Sequence, residues 1–549
     1  MPVDLSATLD ILLKEGKNMF DLLIKNATIY DGSGAPSYVS DVAVKDGKIA
    51  AIGADLGSAA ETVDAEGLAL APGFIDSHSH ADNSILWHPE RTHVLRQGIT
   101  TEIAGQCGVT LSPVPAGTPL SICKSLVGSS EYGDNFFPTM QEELDAVRRM
   151  KMGPNQAYFA GHAAIRYSAM GYENRKANDE DIANMQQLLE DCMEAGALGF
   201  STGLSYTPGI YSDSRELIEV TKAAARHGGM YVSHSRSESA GLFKAVQECI
   251  DIARYANIPV NISHLKVVGK TFWPRCGEML AMIDKANREG LKVTMDAYPY
   301  VAVSTSTTSA IPARFLDKGK EAFGESLKDP KIVEEIRKEI FEIDDPSWDN
   351  SAYHVGLDKF LIAGADYTPE YQGKTYAQVG EEWGMDPFDA MVKLLIANKG
   401  QIRDIRFGMC EENLEAILSH PLCSLGTDGS FVKGRDKMSH PRAFGSFPRF
   451  LGRYVRERKI MSREEGIHRM TGMPATRFGL TGKGYIRPGM DADLVLFDYD
   501  TVIDQADFND CFKPNIGIHR VYMNGKPVLQ DNEPTGILEG QYLMRSKMR

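Results

Sequence analysis

The stretch APGFIDSHSH, residues 71–80, decides the fold predicted for this chain. The apolar run from Leu68 to Ile75 predicts a buried β-strand, and His78 and His80 follow directly after it. Side chains two positions apart on a strand point to the same side, so both imidazoles can reach one metal ion. An isolated His-x-His pair is equally compatible with a solvated turn. The metal interpretation therefore depends on the rest of the chain.

Four more short apolar or β-branched runs end in a side chain that can bind a metal. They close at or just before Cys107, His234, His264 and Asp428. A (β/α)8 barrel predicts this arrangement, because its functional residues gather at the carboxyl ends of its parallel strands. Each member alone has an ordinary explanation, since a lone cysteine is usually a buried apolar residue and an Asp-Gly pair is usually a turn. Five similar strand ends favour the barrel.

Composition fits a large soluble globular protein. The 549 residues suit a barrel with one accessory domain, and 43% of them are hydrophobic. The net charge of −15 argues against nucleic acid or an anionic membrane as a partner. No apolar run approaches the ~18 residues that span a bilayer. The eight cysteines are scattered without a CxxC pair, so we expect a reducing compartment, by default the cytoplasm.

A series of motifs along the chain resembles a known family. The motifs are PGFIDSHSHAD (72–82), GQCGV (105–109), GHAAIR (161–166), GALGFSTGLSY (196–206), SHSRSE (233–238), SHLKVVG (263–269), DAYPYVAVST (296–305), GTDG (426–429), HPRAFGSFPRFL (440–451) and GIHRVYMNGKPV (517–528). Together they resemble the N-acyl-D-amino-acid deacylases, or D-aminoacylases, of the amidohydrolase superfamily. The resemblance covers nearly the whole chain from about residue 20 onward.

The expected fold class is α/β, with three parts. Residues 1–18 predict an amphipathic helical extension, and residues 73–479 predict the (β/α)8 TIM barrel. Short alternating strands occupy 19–72 and 480–549, and the resemblance implies that these two chain ends join into one small β-sandwich domain. A charged, less regular stretch near 313–375 corresponds to a lid insertion in the family, although an ordinary helical excursion explains it equally well.

The ligand types predict zinc chemistry. One thiolate and two imidazoles, from Cys107, His234 and His264, match a tight catalytic Zn²⁺ site with an open fourth position. His78, His80 and Asp428 form a second, harder and weaker set, so six residues in all are predicted to bind metal. Zinc generates hydroxide near neutral pH, which attacks the amide carbonyl. The resemblance implies that Asp428 is the general base and acid, that one tight zinc suffices, and that a second binds loosely.

One absence bears on the substrate. Hydantoinases and dihydroorotases of the same superfamily bridge two metals with a carboxylated lysine at the end of barrel strand four. The corresponding segment here, residues 198–203, reads LGFSTG and contains no lysine. The sequence therefore favours linear N-acyl compounds over cyclic amides.

The resemblance also implies a set of substrate-binding residues. By family pattern Lys266 and Tyr298 receive the α-carboxylate, and an ammonium with a phenol suits a charged carboxylate. Ser304 and Arg442 lie in motifs near the substrate, although Arg442 equally well holds a loop by ion pairing. Tyr206 is a further candidate. The segments His162–Arg166 and 304–320 are less clearly assigned.

The predicted function is zinc-dependent hydrolysis of N-acyl-D-amino acids to a carboxylate and a free D-amino acid. The first alternative is another amide hydrolase on the same scaffold, such as a dipeptidase or a cyclic amidase. The second is an inactive scaffold that serves in protein interactions, but such proteins lose metal ligands and all six positions are filled here. The expected partner is the small-molecule substrate, and homo-oligomer formation is left open.

Overall fold

The computed structural model describes residues 20–82, 84–127, 135–343, 345–431 and 438–545, so the helical extension predicted over 1–18 lies outside the described residues. The strands are β1 (Phe20–Ile29), β2 (Tyr38–Lys45), β3 (Lys48–Gly53), β4 (Ala59–Asp64), β5 (Ala69–Pro72), β6 (Phe74–Asp76), β7 (Ile99–Ala104), β8 (Asn155–Tyr158), β9 (Ala160–Gly161), β10 (Gly199–Gly203), β11 (Met230–His234), β12 (Val260–Ile262), β13 (Val293–Ala297), β14 (Val303–Ser306), β15 (Phe360–Gly364), β16 (Arg403–Arg406), β17 (Cys423–Leu425), β18 (Leu494–Phe497), β19 (Ile518–Met523), β20 (Lys526–Gln530) and β21 (Glu533–Pro534).

The α-helices alternate with these strands through most of the chain. They span Ser84–Trp87, Thr92–Leu95, Leu120–Val127, Met140–Arg148, His162–Met170, Asp179–Ala195, Ser214–Arg226, Leu242–Tyr255, Cys276–Arg288, Lys320–Ser326, Pro330–Phe341, Ser351–His354, Tyr376–Trp383, Pro387–Ala397, Glu411–Ser419, Arg442–Arg449, Arg463–Met470 and Gly472–Phe478, with a π-helical segment at Phe450–Glu457. None of the helices in the described part of the chain combines the length and the apolar character that a bilayer crossing needs.

In the described residues, eight parallel strands close into a barrel. β6, β7 and β8 pair in that order, and β9 to β13 followed by β17 continue the ring. β8 and β9 are separated only by Phe159 and act as one strand. The ring closes because the Ser77 N–H donates to the Leu425 carbonyl at 3.2 Å, which joins β6 to β17. The predicted (β/α)8 barrel is confirmed.

The barrel strands form because both of their faces are covered. Every residue of β7, β10 and β11 is buried, as expected for parallel strands packed between a barrel interior and surrounding helices. The helix Leu242–Tyr255 buries Leu242, Ala245, Val246 and Cys249, which recur at the spacing of one helical face. This layering leaves the carboxyl ends of the strands as the place where polar side chains meet.

Both ends of the described chain build a separate sheet domain. β1 to β5 and β18 to β21 join into one nine-stranded sheet among the described residues, because β5 pairs with β18 in antiparallel register, Leu70 opposite Leu496. Asp46 and Gly47 both have positive φ in the turn between β2 and β3, which is the conformation of a tight hairpin. The prediction of a small β-sandwich domain is confirmed in that both chain ends contribute strands to one separate sheet domain.

An insertion lies between β13 and β17. Its strands, in the order β14-β16-β15, form a small antiparallel sheet, and five helices pack around it. Its buried apolar cluster runs from Ala310 to Ile402 and is separate from the barrel core. The stretch predicted near 313–375 lies inside this unit, which extends from Val303 to Arg406 because β14 and β16 pair across a long interval of sequence.

Candidate metal centre and active site

Three of the predicted ligands occupy a strained backbone conformation. Cys107, His264 and Asp428 have φ values of 54°, 35° and 48°, and they follow β7, β12 and β17 respectively. Non-glycine residues seldom adopt a positive φ, and such residues gather at functional sites. In each case the chain turns sharply at the end of a barrel strand, so that its side chain points into the mouth of the barrel.

The ligand atoms form one compact cluster. Those of His78, Cys107, His264 and Asp428 all lie within 4.8 Å of one another. Cys107 Sγ is 3.4 Å from His78 Nε2 and 3.3 Å from His264 Nε2. His234 Nδ1 lies 3.8 Å from the same sulfur and 2.9 Å from His264 Nε2. The structure therefore brings the predicted ligands together, and the four-residue group combines members of both predicted sets.

Asp428 connects the histidines to a buried arginine. One carboxylate oxygen, Oδ1, is 3.1 Å from His80 Nε2 and 3.6 Å from His78 Nε2. The other, Oδ2, is 2.7 Å from Arg442 Nη1. One face of the carboxylate is thus turned to the cluster, and the other is held by the guanidinium.

The surrounding charges favour the anionic forms of the thiol and the carboxyl. Burial opposes ionisation of Cys107, but the His264 and His78 imidazoles hold the pKa of the thiol well below its ordinary value. Burial also opposes ionisation of Asp428, yet Arg442 and His264 keep the pKa of that carboxyl well below its usual range. Nearby positive charge outweighs desolvation in both cases.

Two buried acids that the sequence analysis did not single out support the cluster. Asp296 Oδ1 lies 3.2 Å from His78 Nδ1 and accepts the His264 backbone N–H at 2.7 Å. Glu238 Oε1 lies 3.3 Å from His264 Nδ1. Asp296 is the next-to-last residue of β13, so the strand-end pattern carries a signal for it. Glu238 lies in a loop, where no comparable pattern exists.

A cavity opens above the cluster. Its walls include His80, Cys107, His234, His264 and Asp428 together with the predicted substrate residues Tyr206, Lys266, Ser304 and Arg442. The Tyr206 hydroxyl forms a hydrogen bond of 3.0 Å with Thr305 Oγ1. Arg442 Nη2 donates to the Ser304 carbonyl at 3.2 Å, so this guanidinium links the cavity wall to Asp428.

Lys266 and Tyr298, the pair predicted to receive the substrate carboxylate, lie together beside the cluster. Lys266 Nζ is buried and lies 2.6 Å from both Glu238 Oε1 and His264 Nδ1, so it already has an anionic partner. The Tyr298 ring lies under Lys266 Nζ at 5.5 Å and under the Arg442 guanidinium at 4.7 Å. Its hydroxyl is directed to Met409 Sδ at 4.0 Å. Tyr298 therefore supports the two cations through its ring face.

The less clearly assigned GHAAIR motif is placed in a different network. His162 Nε2 lies 2.8 Å from Glu216 Oε1, and Arg166 Nε donates to the same oxygen at 3.1 Å. All three side chains are buried. The motif joins two helices, since His162 and Arg166 belong to His162–Met170 and Glu216 belongs to Ser214–Arg226.

The donor set of the cluster fits a metal ion. Sulfur, imidazole nitrogens and a carboxylate oxygen converge from separate strands, and zinc sites use these ligand types. Two imidazoles also bring ring nitrogens within 2.9 Å of each other beside the thiolate, and burying such polar groups together is costly without a cation or proton between them. The described residues thus contain a candidate metal centre.

Comparison with known proteins agrees with this site. The chain matches the Amidohydrolase family over residues 61–299 and 380–529, and most of the gap falls within the insertion. It is 36% identical to a D-aminoacylase of Alcaligenes xylosoxydans xylosoxydans, over 96% of this chain and 98% of that protein. It is 34% identical to an N-acyl-D-aspartate deacylase of the same organism, over 94% of this chain and 93% of that protein.

A solved structure extends the similarity to the fold. The N-acyl-D-glutamate deacylase of Bordetella bronchiseptica, complexed with zinc and a phosphonate inhibitor that mimics the tetrahedral intermediate, superposes with a TM-score of 0.81. The two chains are 33% identical, and the match covers 96% of this chain and 99% of that one. The chain belongs to the amidohydrolase family and, within it, to the N-acyl-D-amino-acid deacylases.

Proposed function

We propose that this protein is a zinc-dependent hydrolase that cleaves N-acyl-D-amino acids into a carboxylate and a free D-amino acid. The observation that carries the proposal is the cluster itself. A buried cysteine lies within 3.8 Å of three imidazoles, beside an aspartate paired with an arginine, and Cys107, His234, His264, Asp428 and Arg442 line one cavity. The relatives named as deacylases of N-acyl-D-amino acids support the choice of substrate class.

We propose two neighbouring metal positions in the cluster. We propose that Cys107, His234 and His264 hold one zinc tightly, and that His78 and His80, with Asp428, form a weaker second position. The zinc in the Bordetella deacylase structure supports the choice of ion. When bound, the ion polarises the scissile carbonyl and lowers the pKa of water to near neutrality.

Asp428 is proposed as the general base and acid. Its low pKa keeps the carboxylate ionised at neutral pH, so it can accept a proton from the attacking water. The same carboxyl then delivers this proton to the leaving amine nitrogen, which amide cleavage requires. Arg442, at 2.7 Å, fixes the orientation of the carboxylate during both transfers.

The cavity provides cations for the substrate carboxylate. Lys266 and Arg442 are both buried, and they share the Tyr298 ring as support. We propose that they bind the α-carboxylate, with Ser304 and Tyr206 forming the adjacent wall. Because Lys266 is already paired with Glu238, the substrate shares the ammonium with that acid and does not replace it.

A substrate panel tests the proposal. The zinc-loaded enzyme is assayed for amine release from N-acetyl-D-methionine, N-acetyl-D-glutamate and a dipeptide, and for ring opening of hydantoin. Asp428→Asn serves as the matched inactive control. Turnover of the N-acetyl-D compounds that is lost in the control supports the proposal. Preferred turnover of the dipeptide or of hydantoin would show that a rival amide hydrolase function is correct.

A further inference from the structure

Glu238 occupies a central position beside the metal cluster. It lies in the loop after β11, four residues beyond His234, and its side chain is buried. Its Oε1 atom is 2.6 Å from Lys266 Nζ, 3.3 Å from His264 Nδ1 and 3.9 Å from His234 Nε2. One carboxylate oxygen therefore contacts the proposed substrate-binding ammonium and the outer nitrogens of two candidate metal ligands.

Both ring nitrogens of His264 have polar neighbours, one on the side of the cluster and one on the opposite side. Its Nε2 atom faces the Cys107 sulfur at 3.3 Å, while Nδ1 on the opposite side of the ring faces the ion pair of Lys266 and Glu238, with Lys266 Nζ at 2.6 Å and Glu238 Oε1 at 3.3 Å. A carboxylate on the outer ring nitrogen sets the tautomer and the orientation of a metal-bound histidine. Glu238 is placed to do this while it also holds Lys266 in a single position.

The insertion in turn holds the loop that carries Glu238. Asp349 Oδ2 accepts the Glu238 backbone N–H at 3.0 Å. Its Oδ1 atom accepts the Ser237 hydroxyl at 2.8 Å and the Ser239 hydroxyl at 2.5 Å. Burial, and then the negative charge of Glu238, raise the pKa of Asp349, whereas these hydrogen bonds oppose that rise. Hydrogen-bond donors in the 237–239 loop thus keep the carboxylates of Asp349 and Glu238 close together despite their like charge.

We propose that Glu238 is a positioning residue, which fixes the His264 ring and the Lys266 ammonium, and that the insertion sets its place through Asp349. The role of Lys266 in this inference rests on the proposed function, whereas the role of His264 requires only the metal centre. Contacts thus run without interruption from Asp349 in the insertion, through the 237–239 loop, to the cluster. The insertion accordingly contributes to metal affinity as well as to the cavity wall.

The test measures zinc affinity by chelator competition on the full chain, and separately KM and kcat. The variants are Glu238→Gln, Asp349→Asn and the double variant, with Asp345→Asn as the matched control because Asp345 is an exposed acid of the same segment. Loss of such a supporting carboxylate typically weakens metal binding about 10–100-fold. We expect that loss for Glu238→Gln together with a raised KM, and a smaller loss for Asp349→Asn. The double variant should be no worse than Glu238→Gln, and the control should match the wild type.

Two results would overturn the inference. Wild-type zinc affinity in Glu238→Gln contradicts the positioning role, even if the melting temperature falls. A full additive loss in the double variant shows that Asp349 acts elsewhere. If Glu238→Gln folds poorly, Asp349→Asn alone decides, because wild-type zinc affinity in that variant contradicts the role given to the insertion. Zinc affinity is read without substrate, so failure of the enzyme to cleave any N-acyl-D-amino acid would contradict the proposed function and leave this comparison intact.

Discussion

Replacing Lys266 with methionine should separate a stability effect from a binding effect. Lys266 is 2% exposed, and its Nζ lies 2.6 Å from Glu238 Oε1. Removing one partner of a buried ion pair costs about 3–5 kcal/mol of unfolding free energy, because the remaining charge stays desolvated. The substrate carboxylate also loses a charged partner worth about 1.5–3 kcal/mol, which corresponds to a KM raised about 10–150-fold.

The double variant Lys266→Met/Glu238→Gln distinguishes the two effects. It removes both charges, so we expect much of the lost stability to return while KM stays high. Stability is measured by the denaturation midpoint with saturating zinc, and KM with N-acetyl-D-glutamate. A substrate whose α-carboxylate is amidated should lose affinity on the wild type and little more on Lys266→Met. If the double variant is no more stable than the single one, the ion pair is not the source of the loss, and an unchanged KM would remove Lys266 from the binding site.

Three further predictions concern the cluster. Cys107→Ala removes the only thiolate among the proposed ligands, so this variant, purified without added zinc, should lose most of its metal and activity. His78→Ala should keep the tightly bound zinc. A full zinc equivalent in Cys107→Ala, measured by elemental analysis, contradicts the assignment of the tight site. Asp428→Asn should lower kcat by about 10²–10⁴-fold, and turnover within a few-fold of the wild type would exclude the carboxyl as the base. Arg442 lowers the pKa of Asp428, so Arg442→Met should raise it and move the acid limb of the pH–rate profile upward by about one to three pH units, and an unshifted limb argues against this coupling.

The sequence predicts what depends on local pattern. Short apolar runs ending in His78, Cys107, His234, His264 and Asp428 predict parallel strands whose ends meet, and the barrel geometry then brings these side chains within a few ångströms. No distance has to be known for this inference. A barrel aligns the carboxyl ends of its strands wherever they occur in the chain.

Contacts between distant loops are not contained in such patterns. Glu238 lies four residues after His234, and its importance appears only when Lys266 and His264 approach it in space. Tyr298 is predicted from the family motif alone, and the support that its ring gives to Lys266 and Arg442 appears only in the folded structure. Orientations of this kind depend on tertiary packing.

The first and last residues of the insertion also cannot be predicted from local sequence patterns. Its helices are visible as charged, amphipathic segments, but β14 and β16 pair only after the intervening chain has folded back. Their sequences are short and carry hydroxyl and charged side chains, which are weak signals for strands. The stretch predicted near 313–375 is therefore shorter than the insertion at both ends.

The central claim is that this site hydrolyses N-acyl-D-amino acids, and the most direct test is the handedness of its substrate. When the α-carboxylate is bound by Lys266 and Arg442 and the acyl carbonyl lies at the cluster, one Cα configuration directs the side chain into the remaining cavity. The measurement is amine release by the zinc-loaded enzyme from matched enantiomers of N-acetylglutamate and N-acetylmethionine. We predict turnover of the D enantiomer in at least one pair and little turnover of either L enantiomer. Equal rates within the pairs, or a preference for L, would contradict the account even if every proposed metal ligand proved correct.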